Sequence, residues 1–148
     1  MRTLVSALTA ATLGLLLSLT AQAENMSAEG HWRTIDDETG QAKSIVHIYN
    51  DGGELKGDIV ELLNPSEPNP RCTKCKGSRR NQPIEGLNII WGLEQDGAEW
   101  VDGKIIDPEN GKEYGAQLKV TEGGTRLEVR GYLGFALMGR TQTWERVD

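Results

Sequence analysis

The sequence predicts an all-β protein, an eight-stranded up-and-down antiparallel barrel with one long disulfide-bearing loop. Short segments rich in Val, Ile, Thr, Trp and Tyr alternate with glycine-containing turns, which is typical of an all-β chain. Nearly all of these segments are joined by tight turns, as in a meander. Trp32 lies on the first segment and Arg140 on the last, and a guanidinium stacks well on an indole face. Because a closed barrel makes its end strands neighbours, we expect Trp32 and Arg140 to be a barrel-closure pair.

The first residues have the features of a secretory signal peptide. Arg2 precedes an apolar run over residues 4–19, and a small-x-small motif ends at Ala23. A membrane anchor is the alternative, but the run is short for a bilayer span. We therefore predict cleavage after Ala23 and a single β-barrel domain over residues 24–148, located in the periplasm or secreted.

The strands are predicted from alternation between turn signals. After the strand around Trp32, the predicted strands cover residues 42–49, 55–63, 87–94, 99–106, 112–120, 125–132 and 139–144. Glycine-containing turns at 36–40, 50–53, 95–97, 107–111 and 122–124 separate most of them. The alternation is cleanest in the sixth strand, where Tyr114 and Leu118 share one face, and in the last, where Arg140 and Trp144 do.

Residues 64–83 interrupt this pattern and predict a long ordered loop. They contain four of the five prolines, both cysteines and a run of basic residues. Two alternatives remain open at this point. A two-sheet sandwich would use similar strands, although one long connection among hairpins favours the barrel. A short helix could also form within residues 83–92.

The residues resemble a known bacterial family across nearly the whole chain after the signal peptide. The motifs that carry the resemblance are Gly30-x-Trp32, Asp37-x-x-Gly40, Cys72-x-x-Cys75, Gly103 to Gly111 followed by Tyr114, Arg130-Gly-Tyr-x-Gly134, and Gly139 to Trp144. Together they resemble the domain-of-unknown-function 2147 family. The resemblance implies a small exported protein related to the calycins, the barrel group that includes lipocalins. In lipocalins an arginine of the final strand covers the Gly-x-Trp tryptophan, and Trp32 and Arg140 match those positions.

The pair Cys72 and Cys75 admits two interpretations. Neighbouring basic residues would favour a reactive thiolate, but the pair lies among prolines and glycines without helical periodicity. We therefore favour a structural disulfide. A zinc site would need two further ligands, and the chain has only His31 and His47. We predict no metal and no cofactor.

Composition and motifs argue against several functions. The formal net charge of −6 makes nucleic acid an unlikely partner, since phosphates repel acidic chains. No nucleophile, metalloprotease or phosphate-binding motif is present, so we expect no catalytic residues and no enzyme. The basic run within residues 71–80 is the exception to the acidic charge. It could bind lipid phosphates or an acidic partner, or lie in solvent.

The predicted function is binding of a small apolar or amphipathic ligand, or of an envelope component, inside the barrel. The candidate ligand-binding residues are Trp32, Tyr114, Leu118, Val129 and Trp144. The ligand would enter at the mouth opposite the closure pair, with the cysteine loop as lid or rim. One alternative is a protein-interaction or envelope-support module that uses this loop and residues 133–138. Another is a periplasmic thiol-disulfide protein that uses the two cysteines.

Export is directly testable. We expect the protein isolated after export from a bacterial host to have the intact mass of a chain that starts at Glu24. Replacing Ala23 with leucine should block cleavage, because the peptidase site requires a small residue there. An exported wild-type chain that keeps residues 4–19 would contradict the signal-peptide prediction.

Overall fold

The structure is a computed structural model that describes residues 27–135 and 137–148. It is an all-β closed barrel, as predicted, and the predicted signal peptide at residues 1–23 lies outside the described residues. The strands are β1 (Gly30–Ile35), β2 (Ala42–Asp51), β3 (Glu54–Leu62), β4 (Asn88–Asp96), β5 (Glu99–Asp107), β6 (Lys112–Thr121), β7 (Arg126–Tyr132) and β8 (Gly139–Arg146).

The sheet order is that of a simple meander. Each strand pairs antiparallel with the next one along the chain, and β8 returns to pair with β1. This closure excludes the sandwich alternative. The long connection lies between β3 and β4. The helix considered within residues 83–92 does not form, because Pro83 bridges to Arg71, residues 84–86 form a turn and β4 begins at Asn88. A short 3₁₀ turn instead covers Gly77–Arg79.

Alternation places the apolar side chains inside the barrel. In β6, Ala116, Leu118 and Val120 are buried while Lys119 is exposed, as the sequence predicts. The largest fully buried side chains are Trp32, Val46, Ile48, Leu55, Ile90, Leu93, Leu118, Leu127 and Cys72. They belong to one hydrophobic core, which Cys72 joins from the β3–β4 loop and the others from the strands.

The arginine that covers Trp32 is Arg146 rather than the predicted Arg140. The Arg146 guanidinium carbon lies 4.2 Å from the centroid of the Trp32 ring. Arg140 is instead 69% exposed and forms an ion pair with Asp37. The reason is register: the start of β1 must face the end of an antiparallel β8, and Trp32 is directly opposite Arg146. Both arginines share one face of β8, but they lie near opposite ends of the strand.

Arg146 also ties together the backbone at this end of the barrel. Its Nε donates to the carbonyl of Gly124 (2.6 Å), and its two terminal nitrogens donate to Glu29 (3.0 Å) and Ser27 (2.5 Å). Gly30 leaves room for this side chain, because a Cβ there would lie 2.6 Å from Nη1 of Arg146. Its φ of +135° also favours glycine. We call this the closed end.

We expect Arg146→Ala to lower the free energy of unfolding by about 3 kcal/mol, because it removes a buried cation–π contact and charged hydrogen bonds. Arg140→Ala is the matched control on the same strand face. It should cost less than about 1 kcal/mol, since its ion pair is exposed. Urea denaturation followed by tryptophan fluorescence measures both. Equal losses would contradict the assignment of closure to Arg146.

Candidate functional site

The opposite end of the barrel is open and holds a cavity of about 700 Å³. It lies where β1, β3, β5 and β7 end and where β2, β4, β6 and β8 begin, and we call this end the mouth. The connections that surround it are the β1–β2, β3–β4, β5–β6 and β7–β8 loops. Loops held by a rigid barrel are a common place for binding residues.

Apolar side chains form most of the cavity wall. The apolar lining side chains are Ile35, Ile59, Leu62, Leu63, Ile84, Ile89, Ile105, Ile106, Val129 and Trp144, together with Pro65, Pro70 and Pro108. Trp144 is only 2% exposed, and Val129 is 3% exposed. Gly131 also lines the cavity, and without a side chain it leaves space between Tyr114 and Ile105. The interior therefore suits an apolar ligand surface.

The polar groups deep in this wall bond to one another. The hydroxyls of Thr34 and Ser44 lie 2.8 Å apart, and Nε1 of Trp144 donates to Oε1 of Gln142 at 3.2 Å. Among the described residues, no buried side-chain nitrogen or oxygen lacks a hydrogen-bond partner. A ligand in the inner part of the cavity thus meets few polar groups that need a new partner.

The charged groups at the rim are paired as well. Nζ of Lys43 forms a short ion pair with Glu109 and lies 3.6 Å from Oδ2 of Asp36. The hydrogen bond with Glu109 raises the pKa of Lys43. Hydrogen bonds from Thr39, first from its backbone N–H, lower the pKa of Asp36. Both shifts favour the charged forms of Lys43 and Asp36.

Arg140 belongs to the rim rather than to the closure. Its side chain lines the cavity, and its Nε lies 3.0 Å from Oδ2 of Asp37 in the β1–β2 loop. The ion pair connects the start of β8 with that loop. The two cations that line the cavity, Lys43 and Arg140, thus each have a carboxylate partner.

A comparison with protein-family models identifies the family. The model described as "Uncharacterized protein conserved in bacteria (DUF2147)" matches residues 30–146. The chain belongs to this family. No curated protein sequence matches it significantly.

The fold of this family member has a counterpart among solved structures. It is similar to protein HP1028 from the human pathogen Helicobacter pylori, described as belonging to the lipocalin family, with a TM-score of 0.72. The two chains share 19% sequence identity over 82% of this chain and 84% of the other. At this identity the likeness shows a common fold, and the resemblance to lipocalins expected from the sequence is confirmed at that level.

The structure brings together three of the five predicted ligand-binding residues. Tyr114, Val129 and Trp144 line the cavity. Trp32 and Leu118 do not line it. They point inward as predicted, but they are buried in the filled closed half of the barrel. The sequence did not indicate this placement, because alternation gives the face of a residue but not its depth along the barrel.

The two cysteines form a disulfide, with their Cα atoms 5.3 Å apart. Cys72 is completely buried and Cys75 is 3% exposed. Neither lines the cavity. The bridge instead packs beside the mouth against the β5–β6 turn, where Sγ of Cys72 lies 3.5 Å from the carbonyl oxygen of Pro108. Other parts of the β3–β4 loop, including Pro65 and Ile84, form the rim.

Arg79 fixes the same loop to the outside of the barrel. Its Nε donates to the backbone carbonyl of Asn88 (2.9 Å), and Nη2 donates to the Asn88 side chain (2.8 Å). The guanidinium carbon lies 3.9 Å from the centroid of the Trp91 ring. One residue of the basic run is thus structural, and Trp91 packs on the loop rather than lining the cavity.

Sequence reasoning missed the rim pairs and the true closure arginine. Glu109 pairs with Lys43 and Asp37 pairs with Arg140. The partners of each pair lie in different elements, so no local spacing shows that they meet near the mouth. Arg146 was detectable, since it continues the alternation of Arg140 and Trp144 by two residues.

Two further observations concern metal-binding clusters and membrane-spanning helices. Within the part of the chain that the structure describes, no group of three or more His, Cys, Asp or Glu is placed to hold a metal ion. Over residues 27–135 and 137–148, no helix has the length and apolar character needed to cross a bilayer.

The contact between the disulfide segment and the β5–β6 turn can be tested with two glycines. Gly111 and Gly40 both have a φ of +71°. A Cβ on Gly111 would lie 2.0 Å from the carbonyl oxygen of Lys74, whereas one on Gly40 would have nothing within 4 Å. We expect Gly40→Ala to cost about 1 kcal/mol through backbone strain alone. Gly111→Ala should cost about 2 kcal/mol more, because the clash is with backbone.

Chemical denaturation of the two variants measures this difference. Because the backbone strain is matched, the excess cost of Gly111→Ala reports the packing of the disulfide segment. Equal stability of the two variants would show that this segment does not rest on the turn in solution.

Proposed function

We propose that this protein binds one small apolar or amphipathic molecule in the cavity at the barrel mouth. The observation that carries the proposal is the cavity itself, about 700 Å³ with a mostly apolar wall. Ligand sites in proteins commonly enclose roughly 300–1,000 Å³ and are lined by hydrophobic and aromatic side chains. The lipocalin-like fold adds support, since barrels of this size can hold one small ligand.

The charged groups at the rim indicate which polar end group a ligand should have. Lys43 and Arg140 are already paired with Glu109, Asp36 and Asp37. Three carboxylates thus lie beside two cations, so a ligand carboxylate at the rim would meet net negative charge and be repelled. We therefore propose a ligand with a neutral polar end, such as a hydroxyl or an amide, in preference to a fatty acid.

The proposal is for a binding protein rather than an enzyme or a thiol oxidoreductase. Thiol–disulfide exchange requires that an attacking thiolate reach a sulfur atom. Cys72 and Cys75 are both nearly inaccessible, which favours a structural bridge. With export after signal-peptide cleavage, the ligand would be met in the periplasm or outside the cell, where an envelope component is available.

The decisive experiment is native mass spectrometry of protein purified after export without denaturation. We expect a mass shift that corresponds to one bound small molecule, and organic extraction would then identify it. If the mass is that of the bare chain, the purified native protein should be incubated with neutral and carboxylate amphiphiles of equal chain length. Binding of neither class would refute the proposal, and preferential binding of the carboxylate would refute the ligand class.

Blocking the cavity should abolish binding without unfolding the barrel. Gly131 lines the cavity, its φ does not require glycine, and an added Cβ would make only ordinary contacts, the nearest at 3.6 Å. Gly131→Leu should therefore extend into the cavity and weaken binding of a neutral fluorescent probe, N-phenyl-1-naphthylamine, by about tenfold or more. Thr143→Leu on the exposed face of β8 is the control and should bind the probe like wild type. Equal affinities of the two variants would place the probe elsewhere.

A further inference from the structure

The β7–β8 loop at the mouth exposes an unusually large apolar surface. The exposed fractions are 63% for Leu133, 76% for Phe135, 90% for Leu137 and 72% for Met138. Residues 131–139 contain no charged side chain. Single exposed apolar residues are ordinary, but several large ones on one loop usually mark an interaction site. We call the side chains of Leu133, Phe135, Leu137 and Met138 the apolar tip.

Two arginines flank the apolar tip at the base of its hairpin. Arg130 on β7 and Arg140 on β8 are the charged residues on either side of the uncharged stretch 131–139. Arg140 lies opposite Gly131. One terminal nitrogen of Arg130 donates to Oγ1 of Thr141 (3.0 Å) and the other to the carbonyl of Leu137 (3.3 Å). These bonds hold one cationic group directly beneath the apolar side chains.

The apolar tip also adjoins the basic part of the β3–β4 loop. Leu133 lines one groove with Lys74, Lys76, Arg79 and Lys112, and the acidic side chain in the same groove is Glu113. Four cationic groups against one anionic group give a local positive charge, on a chain whose formal net charge is −6. We call this group of residues the basic groove. The fold thus joins the basic run and the apolar segment, which lie far apart in the sequence.

We propose that the apolar tip and the basic groove together dock the barrel mouth on the surface of an anionic lipid bilayer. Large apolar side chains beside cations are the composition of interfacial membrane-binding segments, where the apolar groups enter the headgroup region and the cations meet phosphates. Charge complementarity favours an anionic bilayer as the partner of this surface. The rest of the chain is acidic and would be repelled by the same lipids, so the basic groove sets the orientation.

Two acidic groups near the mouth pair with cations of the cavity rim rather than with the basic groove. Asp37 is paired with Arg140, and Glu109 is paired with Lys43 at the cavity rim. Docking does not depend on what the cavity holds. It would nevertheless turn the mouth toward the bilayer, so an amphipathic molecule could pass between lipid and barrel without crossing water.

Flotation with lipid vesicles tests the docking surface. The protein should be purified after export, with its mass verified, because residues 4–19 would themselves bind lipid. We expect it to float with vesicles that contain about one third phosphatidylglycerol in phosphatidylcholine, and much less with phosphatidylcholine alone. Salt at about 0.5 M should weaken the binding, because it screens the basic groove.

Paired variants separate the two components of the surface. Phe135→Ser with Leu137→Ser, and Lys74→Glu with Lys76→Glu, should each weaken vesicle binding by about tenfold or more. Their controls are Val147→Ser and Lys119→Glu, which make the same kinds of change away from the mouth. The controls should float like wild type, and thermal unfolding should verify that all four proteins are folded.

A fluorophore on the apolar tip gives a local readout. Both native cysteines are bonded to each other, so Leu137→Cys offers a single reactive thiol for a polarity-sensitive label. Docking predicts a blue shift and increased emission with anionic vesicles. An unchanged spectrum, or serine variants that float like wild type, would overturn the proposal. Concentration-dependent dimers that the serine variants abolish, with no vesicle binding, would assign the tip to a second copy of the chain.

The same variants distinguish this inference from the proposed function. The Phe135→Ser/Leu137→Ser protein should still bind the neutral probe in the cavity if docking and ligand binding are separate. Loss of vesicle binding with probe binding retained is therefore the expected result. A protein that binds the probe but never binds vesicles would refute docking alone.

Discussion

The contact between Arg146 and Trp32 holds the barrel closed, and the rest of the structure depends on it. The pairing between β1 and β8, which we call the seam, contains only two registered residue pairs. Main-chain hydrogen bonds alone therefore join these two strands over a short length. The Arg146 guanidinium lies on the Trp32 ring and donates to the carbonyls of Ser27, Glu29 and Gly124. Trp32 in turn donates from Nε1 to the carbonyl of Ala28 at 2.8 Å. One side chain thereby joins the segment before β1, the β6–β7 turn and the last strand.

The barrel interior is packed in the half near this contact and hollow in the half near the mouth. Near Trp32 the interior is filled by large apolar side chains, and the connections between strands are short. Toward the mouth the side chains no longer fill the interior, which leaves the cavity. The long β3–β4 loop and the β7–β8 loop lie around this cavity. The closure contacts of Arg146 and the cavity therefore lie at opposite ends of the barrel, so a cavity position such as Gly131 can be changed without touching the closure. The disulfide belongs to the mouth half, where it shapes a loop rather than holding the sheet.

The sequence predicts the architecture well because alternation and turn glycines are local signals. The burial pattern of β6 and the inward face of β8 follow directly from period-two spacing. The position of a residue along the barrel axis is not local, since it depends on strand register. For this reason the sequence predicts Arg140 rather than Arg146 as the partner of Trp32, and predicts Leu118 as a cavity residue. The pairing of Lys43 with Glu109, and the placement of Leu133 and Lys74 in one groove, join distant parts of the chain and could not be inferred from spacing.

The short seam also has a consequence for folding kinetics. Every strand pairing except β1 with β8 joins consecutive strands, so only the seam must bring together residues from opposite ends of the chain. Contacts with large sequence separation carry the greatest loop-closure cost and tend to form late. A side chain that acts only after the rate-limiting step changes the unfolding rate and leaves the folding rate nearly unchanged. For Arg146→Ala we expect a chevron plot displaced only in its unfolding limb, and slower refolding would show that the seam is already formed in the transition state.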